Sequence, residues 1–339
     1  MLRRFYPAAQ KIALAASIAA IVSGPAHAEA IKIGVLKVSG AATAFIGQDK
    51  GYFTAEGVPA ELVYFDASQP IAVALASGAI DFGVTGFTAG FYSLASQGAL
   101  KVIGGGYARE APGFHNQAYV VSNQAYAAGF TSLKNFAGHS VAISQTGSPP
   151  HYALGLLEAK YKIDEKSIRV LPLQSVPNMA TAVSGGQADS AIMTATASLS
   201  IVQKGNAKLL GWVGDETPWE FGAAITSTKT ANTRHDTVVK FLNAWRNAAR
   251  ECHNAFASAE NKAALGPTAP EMLAIVSKYT GLSEDTLKLG LPFCEIQARL
   301  DVKDVLNQIA WYKAQGMLKP DVDGDTIIDK RYIVASPAP

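Results

Sequence analysis

The chain has 339 residues, of which 49% are hydrophobic and 17% are charged, with 29 Lys and Arg against 27 Asp and Glu. This length is typical of two domains, and the low charged fraction excludes an intrinsically disordered chain. The net charge of +2 comes without a dense basic cluster, so we expect no nucleic-acid partner.

Residues 1–28 carry the pattern of a secretory signal peptide. Three basic residues flank or precede the apolar run Ile12–Val22, and Ala26-His27-Ala28 matches the small-x-small cleavage pattern. The run is shorter than the roughly 20 residues that a membrane span needs. We therefore expect cleavage after Ala28 and a protein of the periplasm, and the leader has no Cys that could carry a lipid anchor.

The mature chain begins with strands and helices in alternation. Strands are predicted at Ile31–Leu36, Ala60–Phe65 and Ile80–Thr85, and a helix at Gln69–Ser77 ends before Gly78. Strand-helix-strand order is typical of a parallel sheet with helices on its faces.

A second unit of the same order follows. A shift of 108 residues places Ile31–Leu36 on His139–Ser144 and Glu61–Phe65 on Arg169–Leu173, without gaps. Further strands are predicted at Lys101–Ile103, Ala118–Ser122, Lys208–Val213 and Phe221–Ser227. The recurrence of element order in register predicts two α/β lobes, each a mainly parallel sheet flanked by helices.

The remainder of the chain is predicted to be helical. The helices are expected at Val238–Phe256, Glu271–Tyr279 and Val302–Gln315. They have no counterpart in the second unit, so we expect them to complete the first lobe.

Such a chain crosses between the lobes twice, near residues 116–122 and 220–227, which predicts a two-stranded hinge and a cleft as the default binding site. We expect residues 29–117 plus 226–339 to form lobe 1 and residues 118–225 to form lobe 2.

Catalytic and cofactor patterns are absent from the sequence. It has no G-x-S-x-G, P-loop, H-E-x-x-H or C-x-x-C motif. The run Gly104–Arg109 begins like a dinucleotide loop but lacks the third Gly, and Asp321–Asp325 lacks the Gly and Glu of an EF-hand. We expect no catalytic residue, no metal and no cofactor. Cys252 and Cys294 could form a disulfide or remain as two buried thiols.

Loops at the carboxyl ends of the predicted strands are the candidate ligand site, because open α/β sheets bind ligands there. In Gln145–Tyr152 a strand leads into a helix, and helix N-terminal amides attract carboxylate, sulfonate or phosphate; an ordinary capped helix is the alternative. Arg109 is the candidate positive charge, unless it pairs with neighbouring Glu110. The candidate ligand-binding residues are Ser39, Gly40, Ala41, Thr43, Gly86, Phe87, Thr88, Arg109, Gly147, Ser148, His151, Tyr152, Thr194 and Trp219.

Several short runs carry a resemblance to a known family. They are Gly51–Val58, Ala76-Ser77-Gly78 with Asp81, Thr85-Gly86, Gly147-Ser148, and Gly186-Gln187 with Asp189. In order and spacing they resemble the periplasmic substrate-binding proteins of ABC importers for nitrate, sulfonate and taurine, the SsuA/THI5-like branch.

This resemblance implies a type II periplasmic binding protein. Its lobes would close over a small anionic ligand and deliver it to an inner-membrane permease and ATPase, and we expect a monomer. The enzymatic pyrimidine-forming relatives use a Cys-rich motif that this chain lacks. Two alternatives stay open: an enzyme on the same scaffold, and a sensor that passes a ligand signal to a membrane receptor.

Overall fold

Two five-stranded sheets and one two-stranded sheet make up the computed structural model, which describes residue 1 and residues 29–336. The predicted signal peptide therefore lies outside the described residues, apart from Met1. Within those residues, no helix is both long and apolar enough to cross a membrane.

The strands and helices follow one another along the chain in α/β order. The strands are β1 (Ile31–Leu36), β2 (Ala60–Phe65), β3 (Phe82–Gly86), β4 (Leu100–Gly104), β5 (Arg109–Glu110), β6 (Gln117–Ser122), β7 (Ser140–Ile143), β8 (Arg169–Pro172), β9 (Ser190–Thr194), β10 (Ala207–Trp212), β11 (Trp219–Glu220) and β12 (Gly222–Ser227). The helices are α1 (Ala42–Asp49), α2 (Tyr52–Ala55), α3 (Ser68–Ser77), α4 (Ala89–Ser96), α5 (Asn123–Ala127), α6 (Pro149–Tyr161), α7 (Val176–Ser184), α8 (Ala195–Gln203), α9 (Val213–Glu216), α10 (Thr228–Thr233), α11 (His235–Phe256), α12 (Ala269–Thr280), α13 (Glu284–Lys288), α14 (Val302–Ala314) and α15 (Gly324–Ile327).

The two large sheets share one topology. The first has the order β2-β1-β3-β12-β4 and the second β8-β7-β9-β6-β10, with β12 and β6 the antiparallel members. Each sheet therefore takes its antiparallel strand from a chain crossing: β6 follows the first unit but pairs in the second sheet, and β12 returns to the first. The two mainly parallel sheets confirm the predicted fold class.

The long helix α11 lies on the first sheet. Its apolar residues recur at helical spacing, and Phe241 stacks on Phe82 of β3 with ring centroids 4.1 Å apart. One turn further, the indole Nε1 of Trp245 donates to the carbonyl of Gly105 at 2.8 Å. This bond fixes the glycine run after β4 as a strand-ending turn that packs against α11.

The hinge between the sheets is the strand pair β5–β11. It pairs Glu110 with Trp219 and Arg109 with Glu220 in antiparallel register. The predicted two-stranded connection is present. Its hydrogen-bonded strands are β5 and β11, which come just before β6 and β12 in the chain.

A third stretch of chain also contacts both sheets. Residues 281–292, here called the α13 segment, lie against the second sheet's helix α8: Thr286 Oγ1 donates to Gln203 Oε1 at 2.9 Å, and Gly290 packs on Ala195 and Leu199. The carbonyl of Leu289 lies 2.9 Å from His115 Nδ1. This segment of the helical tail therefore contacts both lobes, and the expectation that the tail completes the first lobe stays a prediction.

The two cysteines form a disulfide. Cys252 of α11 and Cys294, just after the α13 segment, are both buried and have Cα atoms 5.9 Å apart. The alternative of two free thiols is thereby excluded, and the end of the α13 segment is joined covalently to α11.

The acidic run at 321–325 forms a helix start. Asp323 caps α15 by accepting the backbone N–H of Asp325 at 2.9 Å. Within the described residues, no group of three or more His, Cys, Asp or Glu is arranged to hold a metal ion.

Candidate functional site

A cleft opens where the carboxyl ends of the strands of the two sheets face each other. Its outer chamber has a volume of about 520 Å³ and is lined by Lys37 after β1, Asp66 after β2, Thr194 at the end of β9 and Leu282 of the α13 segment. Ligand pockets for small organic molecules typically have volumes of roughly 300–1,000 Å³. The outer chamber is therefore large enough for a small organic molecule.

A much smaller inner chamber lies next to the outer one, toward the hinge. It has a volume of about 30 Å³, and its walls include Tyr107, Asn116, Gln117, Met193 and Phe221. The two chambers adjoin each other and share the four lining residues Leu36, Val38, Val176 and Thr194. The inner chamber has room for one small chemical group.

Thr194 is the predicted site residue that lines both chambers. Its side chain does not cap α8, which starts directly after it. The first amide of α8, that of Ala195, donates to the carbonyl of Asn116 at 2.8 Å. The Thr194 hydroxyl accepts neither of the next two amides, those of Thr196 and Ala197, and both residues line the outer chamber.

The predicted loop after β1 lies behind the cleft wall. Ser39, Gly40 and Ala41 form a buried 3₁₀ turn directly after Val38, which does line both chambers. Thr43 is buried in α1, where its hydroxyl donates to the carbonyl of Gly106 at 3.3 Å. These residues support the wall from within the first lobe.

The predicted loop after β3 contacts the second lobe directly. The hydroxyl of Thr88 caps α4 by accepting the N–H of Phe91 at 2.9 Å, and Phe87 stacks on Tyr92 in the core. Gly86 lies so close to Pro149 that a Cβ there would be 2.6 Å from its Cγ.

The N–H of Ala89 donates to the carbonyl of Gly147 at 2.8 Å. Gly147 has a φ of +74°, and a Cβ there would lie 2.6 Å from that of Ala89. A side chain at Gly147 would thus be both strained and too close to the first lobe. The loops at Gly86–Thr88 and Gly147 form an interface between the lobes.

The N-terminus of α6 has its amides engaged within the protein. Gly147 N–H donates to His151 Nδ1 at 3.0 Å, and Ser148 N–H to the Gln145 carbonyl at 3.1 Å. The amides of His151 and Tyr152 both donate to the carbonyl of Ser148, at 3.0 and 3.1 Å. Pro149 and Pro150, which lie between Ser148 and His151, have no N–H. Burial lowers the pKa of His151, which keeps the ring neutral and able to accept.

The side chain of Ser148 makes no capping bond to α6, contrary to expectation. Its hydroxyl accepts the N–H of Gln145 at 3.4 Å instead. The remaining aromatic candidates form a cluster behind the inner wall: Trp219 is 1% exposed and packs edge-on against Tyr152, with centroids 4.8 Å apart. Neither ring lines the two chambers.

Arg109 forms an ion pair outside the cleft. Its guanidinium donates to Asp301 at 3.0 Å, and both side chains are partly buried. The alternative partner, Glu110, accepts instead from Asn116 Nδ2 at 2.8 Å. Arg109 lines neither chamber. The positive charge that we expected at the ligand is instead paired with Asp301, outside the cleft.

Two carboxyl groups are buried in the hinge strands. Glu110 is fully buried, and burial raises its pKa to about 8 against the opposing hydrogen bond from Asn116. Burial also raises the pKa of Glu220 to about 8, against the opposing charge of Arg109. Asn116 lines the inner chamber, so only one side chain separates that chamber from Glu110.

Lys37, Tyr64, Asp66 and Gln117 line the cleft although none was a candidate. The ammonium of Lys37 lies 4.6 Å from the centre of the Tyr64 ring. Lys37 and Asp66 each come within a residue of the end of a parallel strand, which is the signal that selected Ser39 and Thr88. The sequence therefore held the information for these two residues, whereas Gln117 starts an antiparallel strand and carried no such signal.

The two facing sheets and the cleft between them form the fold class of the type II periplasmic binding proteins. The sequence profile of the family described as NMT1/THI5 like matches residues 39–257, and the chain belongs to this family. No protein of curated function matches the chain in sequence.

Solved structures with the same fold include binding proteins and an enzyme. The alkanesulfonate-binding protein SsuA of Xanthomonas axonopodis pv. citri, bound to MOPS, superposes with a TM-score of 0.72 at 19% identity, covering 90% of this chain and 99% of that one. The periplasmic nitrate-binding protein NrtA of Synechocystis PCC 6803 gives 0.71 at 14% identity, covering 89% and 86%. The desulfurization enzyme DSZB gives 0.62 at 12% identity, covering 90% and 96%. These similarities establish the fold, and a fold alone does not determine function.

Proposed function

We propose that this protein is the substrate-binding component of an ABC importer. It captures a small organic anion by closure of the two lobes and delivers it to a membrane permease driven by an ATPase. The observation that carries the proposal is the 520 Å³ chamber between the facing strand ends of the two lobes. Similarity to alkanesulfonate- and nitrate-binding proteins supports it.

The residues lining the chambers support capture without a covalent step. They comprise hydroxyls, amides, apolar side chains, Lys37 and Asp66, and none of them is His or Cys. A Ser or Cys nucleophile activated by a neighbouring histidine is therefore not assembled there. We propose a non-enzymatic, monomeric protein without a cofactor, exported to the periplasm after removal of residues 1–28.

We propose residues 118–221 as the second lobe and residues 29–117 with 222–336 as the first. Strand β12 is assigned to the first lobe from Gly222 onward because it pairs there with β3 and β4. The proposed position of the ligand is between the two lobes, in contact with Thr194, the predicted site residue that lines both chambers.

The acidic group of the ligand is assigned to the outer chamber. Lys37 supplies a positive charge at this wall, and the amides of Thr196 and Ala197, which the Thr194 hydroxyl does not cap, supply donors at the positive end of α8. The outer chamber's volume of about 520 Å³ favours an organic acid, because an inorganic oxyanion would fill only a small part of the chamber. Asp66 lines the same chamber, so a ligand carboxylate or sulfonate must lie nearer to Lys37 than to Asp66.

Opposite effects of two charge changes test this assignment. Organic carboxylates and sulfonates are first screened by thermal shift, where a ligand at 100 times its dissociation constant adds about 2.7 kcal/mol of stability. We expect Lys37→Gln to weaken the best ligand about tenfold, since a hydrogen bond to a charged group is lost. Asp66→Asn is the matched control and is expected to preserve or tighten binding, because it removes a repulsive charge.

Titration calorimetry of both variants gives the two affinities. Equal weakening by both substitutions would contradict an acidic ligand. If no acid shifts the transition and turnover of a substrate is found instead, the proposed function itself is lost.

A further inference from the structure

Gln117 holds an unused hydrogen-bonding group at the wall of the inner chamber. The residue is 1% exposed, and its side-chain Oε1 has no hydrogen-bond partner among the described residues. Buried polar atoms in folded proteins are nearly always paired, because an unpaired one loses its hydration without compensation. An unpaired acceptor beside a cavity therefore indicates a group that arrives with a ligand.

The inner chamber has other polar lining residues, but among its lining residues only Gln117 has a buried side-chain oxygen or nitrogen without a partner; the others are Ser68, Tyr107, Asn116, Ser144 and Thr194. Met179, Ile192, Met193 and Phe221 are apolar walls. The amide of Asn116 is committed through Nδ2 to Glu110. Burial raises the pKa of Tyr107 far above its usual range, so its phenol stays neutral.

No charged side chain lines the inner chamber. A carboxylate or sulfonate there would have no countercharge. An apolar end group would leave the oxygen of Gln117 unpaired. A neutral group with a hydrogen to donate meets both conditions, and the volume of about 30 Å³ admits a group as small as a hydroxyl or an amine N–H.

We propose that Gln117 determines specificity, by accepting a hydrogen bond from a hydroxyl or N–H group at the end of the ligand remote from its acidic group. The ligand is then a small organic acid with a hydrogen-bond donor at its far end. This inference rests on the proposed function, because it takes the acidic group to lie in the outer chamber at Lys37.

One test needs no ligand. Gln117→Met keeps nearly the same side-chain volume and removes the unpaired acceptor, so we expect the unfolding temperature of the ligand-free protein to rise by about 2 °C. Gln308→Met is the matched control. Gln308 is also fully buried, but its Nε2 donates to the carbonyl of Glu220 at 2.6 Å and its Oε1 accepts from Tyr92 at 3.2 Å, so this variant is expected to be destabilised.

The second test measures selectivity by calorimetry with matched pairs of acids: hexanoate and 6-hydroxyhexanoate, and benzoate and 4-hydroxybenzoate. In the wild-type protein we expect the donor-bearing member of at least one pair to bind about tenfold more tightly or better. In Gln117→Met the preference is expected to disappear. Gln117→Leu serves as a second variant with the same expected loss of preference.

Each outcome bears on one of the two claims. A fall in unfolding temperature for Gln117→Met, as for Gln308→Met, would show that Gln117 is satisfied within the protein and would overturn the inference. Acids that bind without any preference for the donor would overturn it while leaving the proposed function intact. Binding of no acid at all would remove the acidic-ligand assignment and with it this inference.

Discussion

Replacing Glu110 with glutamine is expected to remove about a third of the loss of stability expected for this protein between about pH 5 and pH 8. The group is fully buried, and its pKa is raised from 4.5 to about 8 by that burial. Burial also raises the pKa of Glu220 in the same hinge to about 8 and that of Glu158 in α6 to about 7, and these two groups contribute most of the remaining loss.

The sign follows from proton binding in the two states. Between pH 4.5 and about 8 the folded protein holds a proton on Glu110 that the unfolded chain has released. A rising pH therefore favours the unfolded chain: the contribution is fully present below about pH 4.5 and is lost as the pH rises through 8. The pKa difference corresponds to a contribution on the order of 5 kcal/mol. Glutamine keeps an acceptor for Asn116 and has no proton to lose.

Urea unfolding measured at several pH values between 5 and 8.5 gives the free energy of unfolding for each variant. Glu61→Gln, at an exposed position of β2, is the control and should leave the stability within about 0.5 kcal/mol at every pH. A Glu110→Gln curve parallel to that of the wild-type protein would show that the glutamate is ionised throughout and would refute the prediction.

Removal of the disulfide is expected to lower the free energy of unfolding by about 4 kcal/mol. Cys252 and Cys294 are separated by 42 residues, and closing a loop of this length reduces the conformational entropy of the unfolded chain by an amount of that size. The double variant Cys252→Ala, Cys294→Ala is measured by urea unfolding against the oxidised wild-type protein.

Reduction supplies the internal control for this prediction. Dithiothreitol should destabilise the wild-type protein by a comparable amount and leave the double variant unaffected, since that variant has no bond to reduce. A loss below about 1 kcal/mol in both experiments would mean that the bridge adds little beyond the surrounding packing. The disulfide also agrees with the export that residues 1–28 predict, because such bonds persist in oxidising compartments.

Local periodicity was enough to predict most of the fold. Strands β1 and β2 have the predicted bounds, and the register shift found β7 and β8 as their counterparts in the second sheet. These elements could be predicted because side-chain alternation and helix-ending glycines act within a few residues of chain. Strands β5 and β11, with two residues each, have no such period and were missed.

The site was predicted less well because its contacts join distant parts of the chain. Arg109 pairs with Asp301, 192 residues away, rather than with its neighbour. The partners of the amides at the start of α6 depend on how the loop before this helix folds onto His151, and no rule of sequence spacing predicts that contact. Strand ends select one edge of the sheet, but which side chains at that edge point into the cavity depends on packing between the lobes.

If the lobes open and close as proposed, the α13 segment presents a surface that differs between the two forms. Through Cys294 the segment is bonded covalently to α11, whereas it is held to α8 by noncovalent contacts such as that between Thr286 and Gln203. If the lobes move apart, the weaker attachment must give way first, so the segment travels with the first lobe. The side of α8 around Leu199 then becomes exposed in the empty form and is covered in the loaded one. A transporter that docks across this seam would distinguish the two forms without contacting the ligand.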